Sequence, residues 1–273
     1  MRRKNPDLLF LLPGLFFILL FYLYPVAVIA VRSLLAEDGG LTLARYVKAF
    51  TAPAYLEAWR NSLWFVTAST LIAAVGGTFV GYWTAKLPLR LKNLLLSFYS
   101  IPVTLSGLVV AFGFIVLMGR NGVFNQILLA LGLPRLFNVY SWGGLLSVFP
   151  FYNIPLVALV MTPVFEQVGR ELVEAARASG ARGLAIWRYV LLPNILPGIL
   201  AGSSVVWALM MGAFGTALAI TGFAKNLLAL QIYSLVSESS FDLPQADALA
   251  VILMATSGLG LWILSRWERR WRR

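Results

Sequence analysis

The amino-acid sequence predicts an all-α, polytopic membrane protein with six transmembrane helices. Of its 273 residues, 60% are hydrophobic and only 12% are charged, and the mean hydropathy is +0.82. This is more apolar surface than a single soluble core can bury. Six windows of the sequence also reach the roughly 20 apolar residues that a helix needs to cross a bilayer. The charged residues lie mostly in the short segments between these windows, as is usual in membrane proteins.

The six windows follow one another along the chain and predict a single transmembrane domain over residues 1–273. They are residues 8–31, 61–85, 94–118, 142–165, 195–220 and 246–265. The first window follows the segment MRRKNPD, and its apolar run is too long for the core of a cleaved signal peptide. We therefore expect it to remain as an uncleaved first span. In the second window, Gly77 and Gly81 have the spacing that allows close helix approach, which favours packing within the chain over dimerisation.

The distribution of basic residues predicts that both termini face the cytoplasm. Fifteen of the 22 Lys and Arg residues fall in the N-terminal segment, the second and fourth connections and the C-terminal segment. The other seven fall in the remaining connections. Because short cytoplasmic segments carry the excess of Lys and Arg, the richer set is assigned to the inside. The fourth connection, residues 166–193, is therefore expected in the cytoplasm.

The composition excludes several function classes. The chain has no Cys and no His, which rules out thiol chemistry, disulfides, imidazole metal ligands and catalysis by histidine. We expect neither a catalytic residue nor a metal site. No Gly is followed directly by Lys, so the phosphate-binding pattern GxxxxGK[ST] is missing and the chain is not expected to hydrolyse ATP itself. Insertion topology explains the net charge of +11, so no nucleic-acid partner is expected.

The fourth connection, called here the 166–193 loop, is predicted to form a helical hairpin. Apolar and charged residues alternate with helical period up to Gly180, which can end a helix in the left-handed conformation and let the chain reverse. A second short helix would then run to Pro193. Four alanines give the hairpin a slim face: Ala175, Ala176, Ala178 and Ala181.

Two interpretations of the 166–193 loop remain open from these features alone. Trp187 and Tyr189 suit a helix that lies among lipid headgroups. The small alanines and Glu174 equally suit a helix that docks into the cleft of a partner protein and pairs with a basic group there.

The loop resembles the motif of binding-protein-dependent ABC importer permeases, which reads EAA, three residues, Gly, nine residues, Ile, one residue and Leu-Pro. The matching residues are Glu174, Ala175, Ala176, Gly180, Val190, Leu192 and Pro193. Val190 stands where the family usually has Ile, and it keeps a β-branched apolar side chain. The motif spans about 20 residues, whereas the similarity in layout covers nearly the whole chain.

The resemblance implies a type I ABC importer permease fold in a bacterial-type cytoplasmic (inner) membrane. In that family the EAA loop docks on an ATP-hydrolysing subunit, and alternating access follows from closure of the ATPases. The implied partners are two ATPase subunits, a second permease that is related or identical, a periplasmic or lipid-anchored solute-binding protein, and membrane lipid. ATP and Mg would be bound by the ATPase subunits, and this chain would carry no cofactor.

The substrate path is expected to be lined by residues of the fourth and fifth windows. The candidates are Tyr152, Asn153, Met210, Phe214 and Thr216. Other polar residues within the windows are equally suited to helix packing; they are Thr104, Ser106, Thr162, Ser203, Ser204 and Thr221.

The expected substrate is a small polar or charged solute. The segment KNLLALQIYSL, from Lys225, resembles permeases of the polyamine and ferric-ion branch, to which phosphonate and sulfate permeases are related. A path for cations normally carries acidic residues within the membrane. Here Glu238, Asp242 and Asp247 lie only near the outer end of the sixth window, which leaves phosphonate and sulfate open beside a polyamine or ferric ion.

Two functions of other classes are possible in principle. A secondary transporter or channel that works without an ATPase predicts inverted repeats and buried ionisable residues, and the sequence shows neither clearly. A membrane-bound enzyme needs a catalytic constellation, which a chain without His or Cys cannot readily provide.

Overall fold

The computed structural model describes residues 7–36, 38–237 and 241–271. Helices dominate this part of the chain, and its β-structure is limited to an isolated bridge between Leu35 and Leu41. In chain order the α-helices are α1 Asp7–Ile18, α2 Tyr24–Leu34, α3 Ala44–Thr51, α4 Pro53–Ala85, α5 Leu89–Thr104, α6 Gly107–Met118, α7 Val123–Ala130, α8 Trp142–Val148, α9 Pro150–Gln167, α10 Gly169–Ala178, α11 Gly183–Ile186, α12 Leu192–Met211, α13 Gly215–Thr221, α14 Leu228–Ser237 and α15 Leu243–Trp271. Two π-helical turns, Leu19–Leu23 and Trp187–Leu191, join α1 to α2 and α11 to α12.

Six helical segments among the described residues are long and apolar enough to cross a membrane, which confirms the predicted fold class. They are Leu12–Leu34, Pro53–Ala85, Gly107–Ala130, Trp142–Gln167, Gly183–Met211 and Leu243–Trp271.

Two of the predicted windows are not continuous helices. In window 94–118, α5 ends at Thr104, and Leu105 and Ser106 have extended backbone before α6 begins. Pro102 lies in the last turn of α5 and cannot donate a helical hydrogen bond. In window 195–220, α12 ends at Met211 and the short segment 212–214 separates it from α13. Both interruptions follow from residues that disfavour a continuous helix.

Helix α9 lies at the centre of the bundle, where glycines of two neighbouring helices face it. A Cβ atom on Gly77 of α4 would overlap Val157, and one on Gly81 would lie 2.8 Å from the Cβ of Met161. On α12, Gly202 faces the same Val157. The glycine pair in the second window therefore serves packing within the chain, as predicted.

The first span is peripheral to this bundle. None of the most apolar stretch of Leu12–Leu34 is buried by the described residues. Its C-terminal end is tied to the sixth span, because the Nε of Arg32 lies 2.8 Å from Oδ2 of the buried Asp247. The positive charge of the half-exposed Arg32 offsets the cost of burying the negative charge of Asp247.

Candidate functional site

The 166–193 loop reverses direction at Gly180, which has a φ of +84°. The N–H of Ala181 donates to the carbonyl of Ala176 at 3.0 Å, and the N–H of Gly180 donates to the carbonyl of Arg177 at 2.9 Å. These two bonds form a Schellman motif, which satisfies the last carbonyls of α10. The predicted left-handed glycine turn is therefore present, and glycine is required there because a Cβ disfavours this backbone conformation.

The second arm of the loop differs from the prediction. Pro193 does not end a short helix, because the chain stays helical from α11 through the turn Trp187–Leu191 into α12. Pro193 lies in the first turn of α12. A proline lacks the N–H of an ordinary helix residue, and the wider π-helical turn before it accommodates the change in hydrogen bonding. The loop is thus mechanically continuous with the fifth span.

The inner side of the loop belongs to the hydrophobic core. Val168, Ile186 and Leu191 are buried in the main core cluster. The partly buried side chains that pack on that cluster are Val173, Ala176, Ala181 and Val190. The four alanines do not share one face as expected, since Ala176 and Ala181 point inward whereas Ala175 and Ala178 are exposed.

The outer side of the loop carries the remaining motif residues. Glu174, Ala175, Gly180 and Leu192 are exposed, and Pro193 is half-buried. Within the described part of the chain, Glu174 has no ion pair and no side-chain hydrogen bond. The apolar side chain of Leu184 is 82% exposed. The motif is therefore divided between residues that fix the loop to the bundle and residues available to a partner.

The loop contacts the second span through Tyr82 near the end of α4. The ring centroid of Tyr82 lies 5.6 Å from that of Trp187 and 5.3 Å from that of Phe165 at the end of α9. The Nζ of Lys86 lies 3.8 Å from the Tyr82 ring centroid, within the range of a cation–π interaction. Nearby, Lys92 of α5 forms an ion pair with Glu166 of α9.

This cluster around Tyr82 was not predicted from the sequence. Its members are far apart in the chain and match no motif. The only local sign is the spacing of Tyr82 and Lys86, which lie four residues apart on one helix face.

The predicted path residues come together in space around the break after α12. The Nδ2 of Asn153 lies 3.0 Å from the Sδ of Met210. Tyr152 lies near Thr216. Phe214 contacts Tyr233 of α14, with ring centroids 4.6 Å apart.

These path candidates are mostly buried within the chain rather than exposed on a surface. Asn153, Met210 and Thr216 are each at most 4% exposed, and Tyr152 and Phe214 are half-buried. The Oδ1 of Asn153 has no hydrogen-bond partner among the residues that the structure describes. The assignment of these five residues to the substrate path stays a prediction.

The other polar candidates divide into two groups. Thr162, Ser204 and Thr221 donate to the carbonyls four residues before them, at 2.7, 2.8 and 2.9 Å, and serve the interior of the bundle. Thr104 and Ser106 are exposed.

The acidic residues at the N-terminal end of the sixth span are paired where the structure describes them. Asp247 pairs with Arg32, and Asp242 lies 3.7 Å from Lys48. Glu238 lies outside the described residues. No group of three or more potential metal-ligating side chains occurs among the described residues.

A groove of about 750 Å³ lies at the junction of α6 and α7. Its polar lining comes from Arg120, Asn121, Gln126 and Tyr140, and its apolar lining includes Ile115 and Ile127. The segment beneath it is held by Asn125, whose side chain bonds the carbonyls of Gly119 and Phe137 at 2.9 and 2.8 Å. The groove is therefore a built feature of residues 115–140.

Comparison with known proteins adds a family match. A family model described as "Binding-protein-dependent transport system inner membrane component" matches residues 77–273. The sulfate transport system permease protein CysT of Salmonella typhimurium is 26% identical over 263 residues, covering 95% of this chain and 91% of that protein. The spermidine/putrescine transport system permease protein PotB of Escherichia coli is 27% identical over 260 residues, covering 92% and 94%.

Solved structures share the fold. A chain of a bacterial ABC transporter involved in the import of the acidic polysaccharide alginate superposes with a TM-score of 0.79 at 18% identity, covering 98% of this chain and 96% of that one. A chain of the MetNI methionine ABC transporter, in an inward-facing conformation, gives a TM-score of 0.58 at 16% identity, covering 82% and 100%. At these identities the likeness concerns the fold alone.

Proposed function

Because the chain belongs to the family of binding-protein-dependent transport system inner membrane components, we propose that its 166–193 loop couples a separate ATPase to solute movement. The chain is a multi-pass permease subunit of an ABC importer of the inner membrane, a family whose permeases are non-catalytic. We treat residues 1–273 as one permease domain. The proposal concerns how this subunit is driven, what it assembles with and what it carries.

One observation carries the coupling proposal: the loop has one side built into the core and another side left free. Val168 and Ile186 are buried in the same cluster as Met161 and Ile195 of the fourth and fifth spans. Glu174 and Ala175 are exposed on the opposite side. A partner that holds the exposed side therefore pulls on both spans, because packed interiors transmit displacement rather than absorb it.

The coupling residues are Glu174, Ala175, Ala176, Gly180, Val190, Leu192 and Pro193. Glu174 and Ala175 would contact the ATPase. Gly180 shapes the turn, and Ala176 and Val190 attach the loop to the core. Leu192 and Pro193 begin the fifth span.

The partners follow from this role. Two ATPase subunits bind ATP and Mg, and this chain binds neither. A second permease, related or identical, completes the path through the membrane and lipid surrounds the pair. A periplasmic or lipid-anchored binding protein delivers the solute, and the groove over residues 115–140 is a candidate contact because its polar lining, with Arg120 and Asn121, lies next to the end of α6. Both termini and the 166–193 loop face the cytoplasm, in agreement with the excess of Lys and Arg there.

The substrate we propose is a small oxyanion, with sulfate as the first to test. Every carboxylate in the membrane-spanning helices lies within a few residues of a helix end, as Glu57, Glu166 and Asp247 do. A polyamine or ferric ion would meet no acidic side chain of this subunit in the middle of the membrane, where cation paths usually carry one. Sulfate or a phosphonate is bound through hydroxyl and N–H donors instead.

The test is reconstitution in proteoliposomes of the chain with its ATPase, second permease and binding protein. Uptake of labelled sulfate and of labelled spermidine is measured in separate experiments, one with ATP only inside the vesicles and one with ATP only outside. The proposal predicts sulfate uptake that requires the ATPase and ATP on the side of the 166–193 loop. Uptake without the ATPase would overturn the coupling role, and uptake of spermidine alone would overturn the substrate assignment.

A further inference from the structure

Helix α5 carries three hydroxyl side chains on a single exposed face. Ser97, Ser100 and Thr104 are separated by three and four residues, so they share one side of the helix. All three are exposed. We call this row the hydroxyl stripe.

The hydroxyl stripe lies at membrane depth. Helices α5 and α6 run antiparallel to α9, because Lys92 pairs with Glu166 near one end and Phe114 contacts Phe151 near the other, with ring centroids 5.5 Å apart. The α9 residues between these two contacts span about 22 Å at the helical rise. α9 belongs to the fourth span, Trp142–Gln167, so the stripe runs alongside a helix within the bilayer.

The rest of the surface of α5 forms two faces. One packs against the bundle, and the other is exposed and apolar. Leu95, Tyr99 and Pro102 are half-buried, and the hydroxyls of Tyr99 and Thr84 are 3.1 Å apart, which fixes this face to α4. Phe98 and Ile101 are exposed and apolar, as suits contact with lipid. The stripe lies between these faces, so the exposed side of α5 is itself amphipathic.

The hydroxyls of the stripe make only local bonds. They donate to the carbonyls of Asn93, Ser97 and Ile101, at 2.9, 2.7 and 2.9 Å respectively. These bonds satisfy the hydroxyl donors, which allows Ser and Thr within a membrane helix. The lone pairs of each hydroxyl oxygen have no partner in these bonds and face outward. Such hydroxyl groups can accept hydrogen bonds from water, and they can rotate to donate a hydrogen bond to a solute. Acyl chains offer them no partner.

The helix break at the end of the stripe also requires a polar environment. Leu105 and Ser106 break the helix, and both are exposed. Ser106 makes no side-chain cap to the first turn of α6, whose N–H groups have no partner within their own helix. Non-helical backbone at membrane depth occurs only where protein buries it or where it lines a water-filled cavity.

We infer that the hydroxyl stripe and the break at Leu105 and Ser106 line the water-filled solute path through the membrane. This inference rests on the proposed permease function and places the path along the exposed face of α5. Asn153 and Thr216 are buried behind it, and Thr216 packs against Gly107 at the start of α6. The uncharged hydroxyls hydrate a passing ion without holding it, as a conducting surface requires. The occupant of this face is water with the transported solute, not lipid.

The chain offers a direct test because it contains no cysteine. Single substitutions Ser97→Cys, Ser100→Cys and Thr104→Cys are made in the complete transporter, whose other subunits are freed of cysteine. Phe98→Cys serves as the matched control, since Phe98 is exposed and apolar and lies about 100° around the helix from Ser97 at nearly the same depth. Labelling by a charged, membrane-impermeant methanethiosulfonate is measured from each side of the membrane.

The inference predicts labelling of all three stripe positions and not of the Phe98→Cys control, with loss of labelling when saturating solute-loaded binding protein and ATP are present. Absence of labelling at the stripe, in complexes that still import, would overturn the inference while leaving the permease function intact. Import that needs no ATPase would contradict the proposed function, whatever the labelling.

Discussion

Ala181 donates its backbone N–H to the carbonyl of Ala176 across the turn at Gly180, at a distance of 3.0 Å. This bond places the side chains of both alanines on the core side of the 166–193 loop. Ala175 and Ala178 are left on the exposed side with Glu174. The loop is therefore a two-sided element, and each side can be tested separately.

Gly180→Val is expected to disrupt the turn, because a β-branched residue disfavours a φ of +84°. The left-handed conformation costs an L-residue about 1–2 kcal/mol. We expect weaker binding of the ATPase and easier proteolysis of the loop, both measured in detergent-solubilised complexes. Gly180→Asn is the control, since Asn adopts this conformation readily, and it should retain ATPase binding. Normal binding by the Val variant would show that the turn is not required.

Glu174→Lys is expected to uncouple the transporter without unfolding the subunit. Glu174 is exposed, so the substitution leaves the packing of the bundle unchanged. It would place like charges together if the docking site is basic, and we expect an affinity for the ATPase about tenfold lower, equivalent to ~1.4 kcal/mol. ATP hydrolysis stimulated by solute-loaded binding protein is the measurement. Unchanged stimulation and uptake would remove Glu174 from the contact.

Tyr82→Ala is expected to impair transmission between the loop and the second span. The Tyr82 ring contacts both Trp187 and Phe165, and each aromatic pair contributes about 0.5–1.5 kcal/mol beyond its buried area. Import should fall while the ATPase remains bound, so the ratio of solute imported to ATP hydrolysed is measured. Tyr82→Phe keeps the ring and should restore that ratio. Loss of ATPase binding together with import would point to a structural role instead.

Gly77→Val is expected to separate α4 from α9, because its Cβ would overlap Val157. Overpacking of this kind costs about 1–3 kcal/mol, which should lower the thermal unfolding midpoint of the purified subunit by several degrees. Gly113→Ala on α6 is the control, since nothing lies within 4 Å of the Cβ it adds. Equal midpoints for both variants would mean that the two helices do not rely on this contact.

The sequence predicts the elements whose cause is local. Hydropathy predicts the number of spans, although the third candidate span is Gly107–Ala130 and not residues 94–118. A glycine after an amphipathic run predicts the turn at Gly180. The continuation of the helix past Pro193 was not predicted, because it depends on a π-helical turn that relieves the proline. The interruptions at Leu105 and at segment 212–214 have local signals in Pro102 and Gly212, but windows of hydropathy average over them.

The site was predicted less completely because its contacts join distant parts of the chain. Lys92 and Glu166 are 74 residues apart, and no local pattern indicates that they pair. Polarity alone also could not separate the buried Asn153 from the exposed Ser100, since both are isolated polar residues in apolar windows. The packing of the helices in three dimensions is needed to show that Asn153 lies inside the bundle and that Ser100 lies on its surface.

The central claim is that the exposed side of the 166–193 loop is held by an ATPase in the cytoplasm. Single cysteines at positions 175 and 178 are compared with cysteines at 176 and 181 for cross-linking to an ATPase subunit in the assembled transporter. The account predicts cross-links from Ala175→Cys and Ala178→Cys, and none from Ala176→Cys or Ala181→Cys, which face the core. Labelling of position 175 from the periplasmic side, or cross-links from neither pair, would contradict it.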